Sequence, residues 1–398
     1  MPCSRRAAII LSCLSLTLLA PADRPRANEQ PAATAGDAQP PTGEPAQKTG
    51  EPAAPPKGPE PVMAPAGSFS IGGAIYLFAY APRLAKDKFE IYAFLLNIDA
   101  TTRDEKYGLH VQTRFRDSKL REFFLSNIWF QEAYGWTKTP IGDIHAGKFY
   151  RKVGILWDDS FFGNVQYFNG LKLNPDYGVE LVGSRSLWPG FSIDYSGQFL
   201  ANNDHVAGSA FGRDVESDGS ARLQSAWTGR VVPGWKLGEK TSFSLGISGY
   251  TGRIDRSESG SDFRIEQVAA DLTLAWGPSI SYVEALKQRG QNLSPLVRQG
   301  PLAGTPNALY RSGYDTATYF LAGTRWQVLD RLKARVNYSQ AIYDAAASKE
   351  VEVVPGIVFS FRPNFALIVE YDYWKTEPDC GPSTFIDRSY NYVLNYNF

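Results

Sequence analysis

From Ser68 onward, apolar and polar side chains take turns at alternate positions, most plainly at the end of the chain. There Tyr390, Tyr392, Leu394, Tyr396 and Phe398 interleave with Asn391, Asn395 and Asn397. Successive side chains of an extended chain point to opposite faces, so this stretch carries one greasy face and one amide face. Leu332–Tyr343 does the same, with Lys333, Arg335, Asn337 and Ser339 set against Leu332, Ala334, Val336 and Tyr338. In Tyr107–Arg116 the polar set is His110, Gln112, Arg114 and Arg116. In Gly190–Leu200 it is Ser192, Asp194, Ser196 and Gln198.

Extending this reading predicts strands at Ser68–Ala79, Lys88–Ala100, Tyr107–Arg116, Phe123–Trp136, Asp143–Lys152, Tyr177–Ser186, Phe191–Leu200 and Ala221–Val232. It continues with Thr241–Gly252, Phe263–Trp276, Ile280–Lys287, Thr316–Val328, Leu332–Tyr343, Glu350–Phe361, Phe365–Lys375 and Thr384–Phe398. That is about sixteen strands. Lys88–Ala100 and Phe123–Trp136 alternate less cleanly than the rest. Tight turns rich in Pro, Gly, Asn and Asp, such as Thr102–Lys106, Thr139–Gly142, Leu187–Gly190 and Arg362–Asn364, alternate with longer polar connections. The longer ones include Ala201–Ser220, Arg253–Asp262 and Gln288–Arg311. A two-faced strand repeated this often has more apolar surface than one soluble core needs. The expected fold is therefore all-β: a transmembrane antiparallel barrel with short periplasmic turns, long outer loops and both termini on the periplasmic side.

Composition agrees. The 398 residues include 36 glycines, 21 tyrosines and 13% aromatics, while mean hydropathy is negative. After the leader no apolar run reaches the ~18 residues of a spanning helix. Arg5-Arg6 and the apolar Ala7–Ala20 read as a signal peptide over residues 1–22, with Ala20-Pro21-Ala22 as a cleavage site. Residues 23–66 are dominated by Pro, Ala, Gly, Glu and Gln and bear too few large apolar side chains to fold, so they read as a disordered periplasmic segment before a barrel over 67–398. Cys3 and Cys13 fall in the leader, leaving Cys380 without an internal disulfide partner. Lys+Arg and Asp+Glu both number 41, a balance that gives nucleic-acid binding no support.

With strand number, loop asymmetry and the terminal aromatic in view, the region from Ser68 to Phe398 resembles the sixteen-stranded Gram-negative porins. That resemblance implies that the barrel-assembly machinery reads Tyr390, Tyr392, Leu394, Tyr396 and Phe398. It also implies outer-membrane lipid around the barrel, a homotrimer and passage of small hydrophilic solutes. In such porins the third outer loop folds into the lumen. Here the corresponding Val153–Asp176 carries Ile155, Leu156, Trp157, Phe161, Phe162, Tyr167, Phe168, Leu171 and Leu173, an apolar set ill-suited to water. Its Asp158 and Asp159 would give an acidic side to a constriction, with Arg114, Arg116, Lys333 and Arg335 as the basic side. The same segment is compatible with an extra hairpin, which would make eighteen strands. Asp158 and Asp159 are equally readable as solvated loop carboxylates.

Catalytic and metal chemistry have little to stand on, and no cofactor is expected. His110, His145 and His205 lack ligand spacing, and there is no phosphate loop or Gly-x-Ser-x-Gly elbow. Two rival readings remain: a substrate-specific barrel for sugars or acidic polysaccharide, drawing on Arg222, Arg230, Arg325, Lys333 and Arg335, and a plugged structural barrel tethered by its Pro-rich arm.

Overall fold

Alternation of this kind leaves each strand with unpaired backbone groups on both edges, and a bilayer offers no water to satisfy them. The computed structural model resolves this by closing the sheet. It describes residues 67–82, 88–115, 128–155, 160–161, 164–168, 175–203, 221–256, 263–291, 314–343, 348–378 and 384–398. The leader, the Pro-rich segment and Cys380 lie outside these residues. The strands are β1 (Ser68–Pro82), β2 (Lys88–Thr101), β3 (Tyr107–Phe115), β4 (Ile128–Thr139), β5 (Gly142–Tyr150), β6 (Pro175–Trp188), β7 (Phe191–Asn203) and β8 (Ala221–Lys236). They continue as β9 (Thr241–Arg256), β10 (Phe263–Trp276), β11 (Ser279–Gln291), β12 (Tyr314–Leu329), β13 (Leu332–Tyr343), β14 (Ser348–Arg362), β15 (Phe365–Pro378) and β16 (Phe385–Asn397). A single turn of helix, α1 (Val165–Phe168), lies between β5 and β6.

Each strand pairs antiparallel with its sequence neighbours, and β1 pairs with β16 to close the ring. At the seam Ala74 stands opposite Asn397 and Tyr80 opposite Asn391. The backbone of Phe398 exchanges hydrogen bonds of 3.0 and 3.1 Å with Gly73. Sixteen strands match the expected number, and the Val153–Asp176 segment adds no hairpin among its described residues. Tight turns such as Gly277-Pro278 and Asp330-Arg331 gather at one end of the barrel with Phe398, and the longer connections gather at the other.

The two faces separate by environment. On β9 and β10, Ile247 is 57% exposed, Val268 63% and Leu272 41%, while their neighbours Ser248, Gln267 and Asp271 are buried on the inner face. On β16, Tyr390, Tyr392, Tyr396 and Phe398 face outward and Ser389, Asn391 and Val393 inward. Outward aromatics form a ladder at the short-turn end: Trp188 stacks on Phe191 at 4.1 Å and Trp235 on Phe243 at 4.6 Å. A second set, including the pairs Phe199–Trp227 and Tyr371–Tyr390, marks the long-loop end. An apolar belt bracketed by aromatics is the outer surface of a bacterial outer-membrane barrel. Substituting Leu272→Arg is therefore expected to destabilise the folded barrel by about 2–4 kcal/mol, read by urea unfolding from liposomes.

The two untidy strands have a specific cause. Opposite the step from Tyr76 to Leu77, β2 inserts Tyr92, and opposite the step from Gln112 to Thr113, β4 inserts Gln131. Each bulge flips the in–out phase along the remainder of its strand. Thus Phe89 and Ile91 face outward on one side of Tyr92, whereas Asn97 and Asp99 face inward on the other, paired with Gln112 and His110. The described part of the fourth strand starts at Ile128, and the Phe123–Asn127 portion of the expected strand lies outside the described residues.

The candidate functional site lies inside the barrel

The inner wall departs from the expected uniform wet row. Leu200, Tyr250, Ile265, Leu286 and Tyr319 all point inward and are buried with Phe149 on β5. What covers them includes Val153 and Val165, from the segment joining β5 to β6. Alternation in sequence registers a change of face but cannot say whether the inner face is met by water or by another part of the chain.

The segment is held by its own backbone. Lys152 N donates to Gln198 Oε1 on β7 at 2.9 Å, and Gly154 N to Ser248 Oγ on β9 at 2.8 Å. Ile155 N donates to Glu284 on β11. Phe161 N then donates to Glu370 Oε1 on β15 at 2.9 Å, and Val165 N to Ser339 Oγ on β13 at 3.0 Å. These acceptors sit on strands far apart around the ring, so the described residues of the segment lie across the interior. Gly154 takes φ +63°, and a Cβ there would collide with the Glu284 carboxylate, so glycine serves both the turn and the close approach. The Phe161 ring sits 5.0 Å from Tyr92, 5.7 Å from Tyr76 and 6.0 Å from Phe78, in an aromatic socket on β1 and β2.

The two ends of the segment are clamped together. Arg151 donates from Nε and Nη2 to Asp176 Oδ2 at 3.2 and 2.9 Å. Both side chains are essentially sealed from solvent, at 1% and 0% exposure. The guanidinium also lies 4.4 Å from the Tyr250 ring. A charge so deeply placed requires this pairing, because an unpaired buried ion is far costlier than a paired one.

Charges line the rest of the wall in compensated groups. Arg230 grips Asp271 with two bonds of 2.6 and 2.9 Å. Arg335 reaches Glu370 at 2.6 Å, and Lys152 reaches Glu180 at 2.7 Å. His145 lies 3.1 Å from the same Glu180, and His110 lies 2.6 Å from Asp99. Tyr134 stacks between the two histidine rings at 4.7 and 5.1 Å.

Of the residues singled out from the sequence, Arg114 is inward, as strand phase predicts, with its guanidinium 5.2 Å from the Tyr92 ring. Lys333 and Arg335 share the inner face of β13, where Arg335 meets Glu370 of β15 across Gly356 of β14. The ring order places β3 six strands from β13, so Arg114 does not join Arg335 in one basic patch. Arg116, Asp158 and Asp159 lie outside the described residues. The acceptors Ser248, Glu284 and Ser339 and the Arg151–Asp176 clamp escaped the sequence reading. Their inward phase was legible, but nothing local announces that a backbone N–H from elsewhere will meet them.

No family model matches the chain, and no curated protein matches it. Solved structures do. The outer-membrane channel DcaP of Acinetobacter baumannii aligns with a TM-score of 0.61 at 13% identity, over 84% of this chain and 98% of that one. The anion-selective porin from Comamonas acidovorans gives 0.59 at 11% identity, over 83% and 100%. OmpT of Vibrio cholerae, in trimer form, gives 0.56 at 11%, over 84% and 100%. Identities this low speak to architecture, and the architecture is the sixteen-stranded barrel of bacterial outer-membrane porins.

Proposed function

We propose that the protein is a porin-type outer-membrane channel through which small hydrophilic solutes or ions diffuse passively, with the β5–β6 segment as its constriction. The observation that carries this reading is the set of backbone hydrogen bonds from Lys152, Gly154, Ile155, Phe161 and Val165 to wall side chains on five different strands. A segment fixed at so many points narrows a lumen without needing to move, which suits size sieving in a fixed field. Asp158 and Asp159 are proposed as acidic groups at the opening, and Arg114, Arg116, Lys333 and Arg335 as wall cations facing permeant ions. Tyr390, Tyr392, Leu394, Tyr396 and Phe398 are proposed as the stretch read during barrel assembly, and a homotrimer as the assembled form.

A dense basic lumen for acidic polysaccharide is disfavoured, because Arg230 and Arg335 are each matched by a wall carboxylate. Planar-bilayer recording of the folded protein tests the proposal. Stepwise, ohmic conductance is expected, and a membrane that stays sealed would overturn it. In a salt gradient, Arg114→Ala should lower the chloride-to-potassium permeability ratio roughly twofold, as expected for removing one partly screened wall charge.

A further inference from the structure

The last two strands set four oxygen-bearing side chains side by side on the inner wall. Glu370 and Asp372 on β15 are 1% and 0% exposed, and Ser389 and Asn391 on β16 are 1% and 0% exposed. Register places Glu370 opposite Asn391 and Asp372 opposite Ser389. Opposed side chains of an antiparallel pair stand about 5 Å apart at Cβ, and the next on the same face lies about 7 Å along the strand. The four therefore mark the corners of one small rectangle. Two of them have idle polar atoms. Neither the amide oxygen nor the amide nitrogen of Asn391 has a hydrogen-bond partner, and Ser389 Oγ has none. On the β1 side Asn391 faces Tyr80 and Ser389 faces Pro82. A buried amide with both ends idle is costly, and leucine would fill nearly the same volume without that cost.

Charge says what would suit these groups. Among the described residues, the deeply placed charges on the inner face of β13–β15 are Glu350, Glu352, Glu370 and Asp372 against Arg335. Four negative charges against one positive leave a formal −3. Arg335 and the Phe161 backbone both bond to Oε1 of Glu370, so neither of them uses Oε2. Carboxylate, amide and hydroxyl oxygens together make the donor set of a hard cation. Metals that prefer nitrogen or sulfur would want His or Cys, and neither strand carries one.

We infer that Glu370, Asp372, Ser389 and Asn391 form a Ca2+ site in the inner wall of β15 and β16. The two carboxylates balance the ion's charge, and Asn391 Oδ1 and Ser389 Oγ complete the oxygen set. No group of three or more His, Cys, Asp or Glu among the described residues is placed to hold a metal. With two carboxylates the site depends on its amide and hydroxyl, which sets its affinity in the weak range of extracellular Ca2+ modules, ~10⁻⁴–10⁻³ M. An ion there would steady the Glu370 carboxylate, and with it the Phe161 anchor of the crossing segment. The inference rests on the wall alone and stands whether or not solutes cross the lumen.

Thermal unfolding of the folded full-length protein in lipid-free detergent tests it, followed by heat-modified gel mobility across a CaCl2 titration after EGTA treatment. The midpoint should rise with Ca2+ along a saturating curve. Asn391→Leu plus Ser389→Ala should move half-saturation at least roughly tenfold higher. In EGTA that variant should unfold no earlier than the wild type, because it discards two idle buried groups. Asn391→Asp supplies a third carboxylate and an independent reading should the first variant not fold. It should unfold earlier than the wild type in EGTA and regain the difference at roughly tenfold less Ca2+. A wild-type midpoint indifferent to Ca2+ would overturn the site. An undiminished rise in the Leu/Ala variant would place the ion elsewhere and overturn it as well. So would an Asp variant whose loss no Ca2+ restores.

Discussion

Asp176→Ala is expected to cost the folded barrel about 3–5 kcal/mol, because it strands the Arg151 guanidinium without its carboxylate inside the protein. Equilibrium urea unfolding from liposomes would read the loss. The double replacement Arg151→Met with Asp176→Leu should recover most of it, since removing both charges removes the need for compensation. That pattern separates a clamp from a merely well-packed site. If the single and double variants were equally damaged, the ion pair would not be what closes the segment's two ends. The contact is local in sequence, only 25 residues apart, yet it fixes where the chain enters and leaves the interior.

The second large effect concerns Glu370, which accepts from both Arg335 and the Phe161 backbone. Glu370→Ala should leave Arg335 without this carboxylate and free one anchor of the crossing segment. Anion preference is expected to rise roughly fivefold in permeability ratio, equivalent to about 1 kcal/mol of wall potential. Current noise should rise with it as the segment loosens. Glu370→Gln separates the two roles, because an amide oxygen still accepts from Phe161 N while the charge is gone. Selectivity should shift in both variants, and excess noise should appear only in the alanine.

Legibility in the sequence followed the physics of each feature. Alternation in β13 and β16 was readable because each strand meets two different surroundings and its side chains switch face at every residue. Positions such as Arg335, Asn337 and Ser339 were assigned inward from that period alone. β2 and β4 resisted, since one inserted residue, Tyr92 or Gln131, reverses the phase and leaves no mark in composition. Arg335 was placed on the wall from the same alternation; its pairing with Glu370, and that of Glu370 with Phe161 N, was not. Leu286 and Tyr319 are apolar on the inner side of the barrel, contrary to a simple greasy-out, wet-in rule. They follow the rule again once Val153 and Val165 are recognised as their covering.

Strand number, closure order and the sorting of short turns from long connections are consequences of local pattern, and the amino-acid order alone carried them. The contents of the lumen were decided elsewhere. The backbone donors of Gly154, Ile155, Phe161 and Val165 find acceptors 94, 129, 209 and 174 residues away. A backbone N–H is chemically the same at nearly every residue, so no side-chain pattern encodes which distant oxygen it will meet. Only the closed ring, by bringing the inner faces of β7, β9, β11, β13 and β15 around one interior, makes that choice.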